Sequence, residues 1–147
     1  MSPHISRPSD RLNLASGSLL DCRELIRDRR IAVWVPELDS AKGGIQVFSG
    51  FLVRALEDIK GGPITVVSKH DLGPVRLANG HASLVHSSGR WPIPFRTAAF
   101  AARLLWEGVR NQPDLIFTTH LNFAVAADWL KRWRSVPYWC ITHGIEA

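Results

Sequence analysis

At 147 residues, 46% of them hydrophobic and 21% charged, the chain has room for one globular core and is not a disordered tract. Its two cysteines do not make a disulfide framework, and no stretch approaches the roughly 20 apolar residues of a spanning helix. A formal net charge of +5 favours an anionic partner without choosing among phosphorylated ligand, lipid surface and nucleic acid.

Residues 1–29 read as a mobile basic tail. The first 20 are rich in Ser, Pro and Arg without periodicity, and no continuous apolar run there makes a signal peptide. Residues 20–29 are expected to form a short charged helix. Cys22 lies in this polar segment and Cys140 in an apolar run far away, which fits a reducing, cytoplasmic setting.

From residue 30 onward, short apolar runs alternate with helical patterns. IAVWV (31–35), ITVVS (64–68), LIFTT (115–119) and YWCIT (138–142) read as strands, with SLVHS (83–87) a weaker fifth. The four main runs are continuously apolar rather than alternating, as parallel strands covered on both faces require. A first helix carries Ile45, Phe48, Phe51, Leu52, Ala55, Leu56 and Ile59 as its inward face and stops at Gly61-Gly62-Pro63. A second, Ala-rich helix is expected from about 94 to 111, with Ala98, Ala101, Leu105 and Val109 inward. A third spans 122–134, with Phe123, Ala126, Ala127, Leu130 and Trp133 along one side. The irregular stretch 69–93 reads as a surface excursion. The alternation defines an α/β fold with a doubly wound, mostly parallel, Rossmann-like sheet.

Function is sought at the carboxyl edge of such a sheet, where ligands bind. Gly43 and Gly44 fall at the first strand-to-helix turn. A helix start there presents unpaired N–H groups and partial positive charge to a phosphate, and Lys42 adds a cation. The competing explanation is a plain tight turn that needs positive φ. AKGGIQ is neither a P-loop nor the three-glycine dinucleotide fingerprint. His120 and His143 each follow a strand, so parallel strands would bring both imidazoles to that edge, where histidine suits proton transfer or anion binding. Each could instead cap a local loop. A metal held by His120, His143 and Glu37 or Asp39 lacks any close ligand pair, so no metal is expected. No Gly-x-Ser-x-Gly elbow appears. WLKRWRSVPYW interleaves tryptophan with Lys131, Arg132 and Arg134; it fits an anionic membrane surface or nucleic acid. The plainer expectation is tryptophans packed inward and cations complementing a helix C-terminus.

GGIQVFSGFLVRAL after a VWVP strand, then PDLIFTTHLNF, then ITHGIEA, resembles the N-terminal domain of the family 4 glycosyltransferases over residues 30–147. The resemblance implies the N-terminal, acceptor-side half of a two-domain GT-B fold and a retaining sugar transfer from a nucleotide-sugar donor, with no cofactor or metal. It implies that Gly43, Gly44 and Lys42 approach the donor's diphosphate and sugar. His143 is implied as the catalytic contact to the reacting sugar, and His120 and Asn122 as facing the acceptor. The residues that read the nucleotide belong to the family's C-terminal half. Measured against the family, the chain is expected to be an incomplete half, inactive alone, either from a truncated gene or completed by a separate C-terminal polypeptide. Apart from the resemblance, peripheral contact at the inner membrane face is a further expectation, and nucleic acid is not an expected partner. The alternatives are a non-catalytic α/β module binding a phosphorylated ligand, or a basic membrane- or RNA-binding protein.

Overall fold

A computed structural model describes residues 23–38, 43–71, 84–87 and 92–142. The expected tail up to residue 22, Lys42, and His143 with the residues after it lie outside the described residues.

Five strands form one parallel sheet: β1 (Ile31–Val35), β2 (Thr65–Ser68), β3 (Leu84–Ser87), β4 (Leu115–Thr118) and β5 (Tyr138–Cys140). Their order is β3-β2-β1-β4-β5, so the chain winds outward from β1 in one direction and then in the other. Three helices connect them: α1 (Gly44–Lys60), α2 (Ile93–Arg110) and α3 (Leu121–Arg134). The expected doubly wound α/β sheet is present, and the weak fifth run is a true strand. The short charged helix begins by residue 23 and ends at residue 27.

β1 is buried along its whole length because both of its faces are covered. Ala32 and Trp34 point to one face and join Val67 and Ile116 beneath Phe100 and Leu104 of α2 and Phe123, Ala127 and Leu130 of α3. Ile31, Val33 and Val35 point to the other, with Val66 beneath Val53 and Leu56 of α1. This two-residue alternation splits a uniformly apolar string between two cores. Ile26, from the short helical segment before β1, packs on the α1 side. At the amino edge the Arg30 N–H donates to the Asp114 carboxylate at 2.8 Å, and the Asp114 N–H returns a bond to the Arg30 carbonyl at 2.8 Å. The Arg30 N–H and guanidinium hold the Asp114 carboxyl below the usual carboxylate range.

Helix ends follow local chemistry. α1 closes on Gly61 at φ 70°, whose N–H donates to the Glu57 carbonyl at 2.8 Å. α2 opens behind Pro92 with Pro94 in its first turn, where a missing N–H costs nothing. α3 closes on Ser135 in the same left-handed conformation, at φ 58° and without a glycine.

Several faces are rotated from the expected ones. On α1 the buried residues are Ser49, Val53, Leu56 and Glu57, while Phe51 is 63% exposed and Ala55 is also outside. On α2 Phe100 and Leu104 face inward, while Ala98 and Ala101 are exposed. On α3 Phe123, Ala127 and Leu130 are buried as expected, but Trp133 is not. Within 69–93, Asp71 is buried rather than on a surface excursion. β5 is an edge strand, and its Trp139 is 64% exposed.

α2 and α3 approach closely at Gly108, where a Cβ would collide with the Leu130 side chain and stand 3.2 Å from its Cγ. Leu130 is fully buried, so any shift of its side chain disturbs the α2–α3 core. Gly108→Ala gains helix propensity of about 1 kcal/mol but overpacks this crossing at a cost of about 1–3 kcal/mol. Urea denaturation is expected to show net destabilisation, larger for Gly108→Val; an unchanged midpoint in both variants would contradict the close crossing.

Candidate functional site

All five strands run the same way, so their carboxyl ends form one rim, and α1 and α3 both start from it. Three polar fastenings build this rim. Asp71, buried just past β2, accepts from the Leu38 N–H at 2.9 Å and from the Ser68 hydroxyl, which ties the end of β2 to the loop after β1. Lys69 and His70 N–H groups bond the Pro36 carbonyl at 3.2 and 2.9 Å, closing the same junction. Finally, Ser49 on α1 and Thr119 past β4 share a buried hydroxyl–hydroxyl bond of 3.1 Å, while the Thr119 N–H donates to the Trp34 carbonyl at 3.1 Å.

That last fastening matters for the placement of the glycines. Ser49 lies little more than one turn into α1, so its bond to Thr119 sets the start of α1 at the crevice between β1 and β4. Gly43 is the N-cap and Gly44 the first helical residue. Gly43 has φ −137° and ψ 166°, ordinary extended backbone, and Gly44 is helical; the explanation by positive φ is therefore overturned at both positions. Gln46, held through its amide to the Glu37 carboxylate at 3.0 Å, occupies the space where a Gly43 Cβ would stand. At Gly44 no atom lies within 4 Å of that position. No side chain among the described residues caps α1, and its first turn carries no acid.

His120 and Asn122 stand at the start of α3 on the other side of the crevice. His120 is the N-cap: its Nδ1 accepts from the Asn122 N–H at 3.2 Å, and its ring lies 5.2 Å from that of Phe123. The Thr118 hydroxyl donates to the His120 carbonyl at 3.1 Å. Asn122 is exposed and contributes its backbone to this cap. β5 leaves the sheet at the same rim, with the Ile141 N–H donating to the Thr118 carbonyl at 2.8 Å. His143, two residues further on, lies outside the described residues, as does Lys42. Among the described residues no group of three His, Cys, Asp or Glu could hold a metal ion.

The sequence reading assigned no part to His70 or Arg96, which also meet at this rim. The Arg96 guanidinium, in the first turn of α2, lies 3.4 Å from His70 Nδ1, so that nitrogen accepts and the ring is neutral. Burial, then the Lys69 ammonium, pulls the His70 imidazole below its ordinary value of 6.5; Glu37 and Asp71 oppose this, and Arg96 adds to it. Asp71, Ser68, Ser49 and Thr119 were equally unmarked. The Ser68-x-x-Asp71 spacing at a strand end was the one signal available for them.

The chain is thus a Rossmann-like α/β protein whose rim gathers two helix starts around one crevice. No protein-family model, curated protein or solved structure matches it.

Two predictions follow from these contacts. His120→Ala removes the α3 cap and is expected to cost about 1 kcal/mol in denaturation experiments, whereas His120→Asn keeps a capping acceptor and most of the stability. Equal losses in the two variants would mean that capping is not what His120 does for the fold. For His70, the folded protein binds the proton more weakly than the unfolded chain. Its contribution is therefore complete above pH 6.5 and is lost as pH falls through the lowered folded value. Denaturation at neutral and mildly acidic pH should show a decline that is shallower in His70→Asn; identical slopes would refute the linkage.

Proposed function

We propose that this chain is the acceptor-side half of a GT-B glycosyltransferase of the family 4 kind, with the start of α1 as the wall facing the donor's diphosphate and sugar. The observation that carries the reading is the combination at positions 43 and 44: glycines that their backbone dihedrals do not require, at an uncapped helix start beside the β1–β4 crevice. Such a start offers N–H groups and partial positive charge to a phosphate, and the missing side chain at Gly44 allows close approach.

In this reading Gly43, Gly44 and Lys42 approach the diphosphate, His143 touches the sugar being transferred, and His120 and Asn122 face the acceptor across the crevice. The bond from the anomeric carbon to the phosphate oxygen breaks while that carbon bonds the acceptor oxygen, whose proton leaves. The departing diphosphate needs charge stabilisation in a cleft closed to water, which a donor-binding C-terminal half would supply. The uncapped start of α1 equally favours a second reading, a non-catalytic module that binds a phosphorylated ligand.

The two readings separate on the sugar. Calorimetric titration is to compare UDP-glucose and GDP-mannose with UDP and GDP. Sugar transfer predicts tighter binding of at least one nucleotide sugar than of its bare nucleotide, with the increment lost in His143→Ala. Gly44→Val should weaken all of them about tenfold or more while leaving the circular dichroism unchanged. Equal affinity for nucleotide and nucleotide sugar would favour the module, and binding unaffected by Gly44→Val would remove the role of the glycine turn.

A further inference from the structure

α3 presents to solvent a face that its core-packing side does not explain. Leu121, Val125, Trp129 and Trp133 are 53%, 75%, 47% and 53% exposed. They recur every four residues and therefore lie along one stripe of the helix, about 18 Å long. The tryptophan rings stand 4.9 Å apart and are tilted by 39°, so they pack against each other on the helix surface rather than turning inward. The expectation that these tryptophans pack into the core is overturned: Phe123, Ala127 and Leu130 fill that role.

Charge supplies the second observation. Lys131, Arg132 and Arg134 occupy the last turn of this helix and are exposed. The Arg134 guanidinium lies 4.5 Å from the Trp133 ring centroid, and Arg132 is shared with Asp128, the single acid of α3, at 2.8 Å. α2, on the same face of the sheet, adds Arg96, Arg103 and Arg110 against Glu107. Together the two helices hold six cations against two acids, a surplus of four out of the chain's net +5. α1, on the opposite face, balances Arg54 and Lys60 with Glu57 and Asp58. The exposed stripe of α3 and the surplus of positive charge thus fall on the same side of the sheet, whereas the exposed Val47 and Phe51 of α1 have no such surplus beside them.

We propose that the outer face of α3 docks on an anionic lipid bilayer. The occupant is read from this charge complementarity and from side-chain chemistry. Tryptophan places an apolar ring with one N–H at headgroup depth, and the long Lys and Arg side chains beside it reach lipid phosphates while their stems stay on apolar surface. No helix among the described residues is long and apolar enough to cross a membrane, so α3 lies on the bilayer rather than through it. This surface is independent of the sugar-transfer reading and would stand if that reading fell.

The test is co-sedimentation of the full chain with phosphatidylcholine vesicles with and without phosphatidylglycerol, at low and near-physiological salt. The expected result is binding to the anionic vesicles that weakens with salt, together with fluorescence quenching by brominated lipid. The triple change Lys131→Gln, Arg132→Gln, Arg134→Gln should weaken binding about a hundredfold, at roughly fivefold per charge. The pair Trp129→Ser, Trp133→Ser should weaken it about tenfold or more and reduce the quenching. Every changed side chain is exposed, and circular dichroism verifies that both variants fold. Absence of binding to anionic vesicles by the folded wild type overturns the proposal, as does equal binding of wild type and both variants. It is also overturned if the chain dimerises without lipid through the tryptophan pair, or if single-stranded RNA binds more tightly than the vesicles and loses that binding in the triple variant.

Discussion

β1 is the strand on which the rest of the structure depends. It hydrogen-bonds β2 on one side and β4 on the other, and its five side chains alternate between two separate cores. Trp34, with no exposed surface, is the largest side chain buried on the α2–α3 side, and Val33 and Val35 anchor the α1 side. A polar residue in this strand would leave an unsatisfied group in one core or the other, so the string IAVWV has little freedom to vary. Because β1 is central, the helix leaving it begins where the winding direction reverses, and the crevice of the candidate site is a consequence of that position.

The two ends of the sheet are fastened by different chemistry. At the amino edge a charged residue and a backbone clamp suffice: Arg30 and Asp114 exchange two backbone-involving bonds, and the guanidinium adds a 3.4 Å contact in an exposed setting. At the carboxyl rim the fastenings are buried hydroxyl and carboxylate groups, Ser49 with Thr119 and Ser68 with Asp71. Short polar side chains can hold α1 and the β1 loop close without filling the space in front of Gly44.

The α2–α3 layer and the α1 layer are not equivalent, although both cover the same sheet. Each helix has a core side set by packing, and each also exposes apolar residues, such as Phe51 on α1 and Trp129 on α3. What separates them is charge: α1 is balanced, whereas α2 and α3 carry the surplus. The same cations complement the helix dipole at the last turn of α3, so fold and surface chemistry draw on one set of side chains.

Element type and order were legible in the sequence because continuous apolar runs and three- to four-residue periodicities are local properties. All five strands, all three main helices and the parallel, doubly wound arrangement follow from them, and Gly61 marked its helix end by chemistry that no neighbour could override. The rotation of each helix was a different matter. Apolar residues on α1 occupy more than one side, and only docking against the sheet decided that Ser49 and Glu57 go in while Phe51 stays out. Hydrophobicity alone likewise sent Trp129 and Trp133 inward, whereas the core beneath α3 was already filled by Phe123, Ala127 and Leu130. The rim's hydroxyl and carboxylate fastenings join residues up to 70 positions apart. No local pattern encodes such a pairing; it exists because a parallel sheet returns every strand end to one edge.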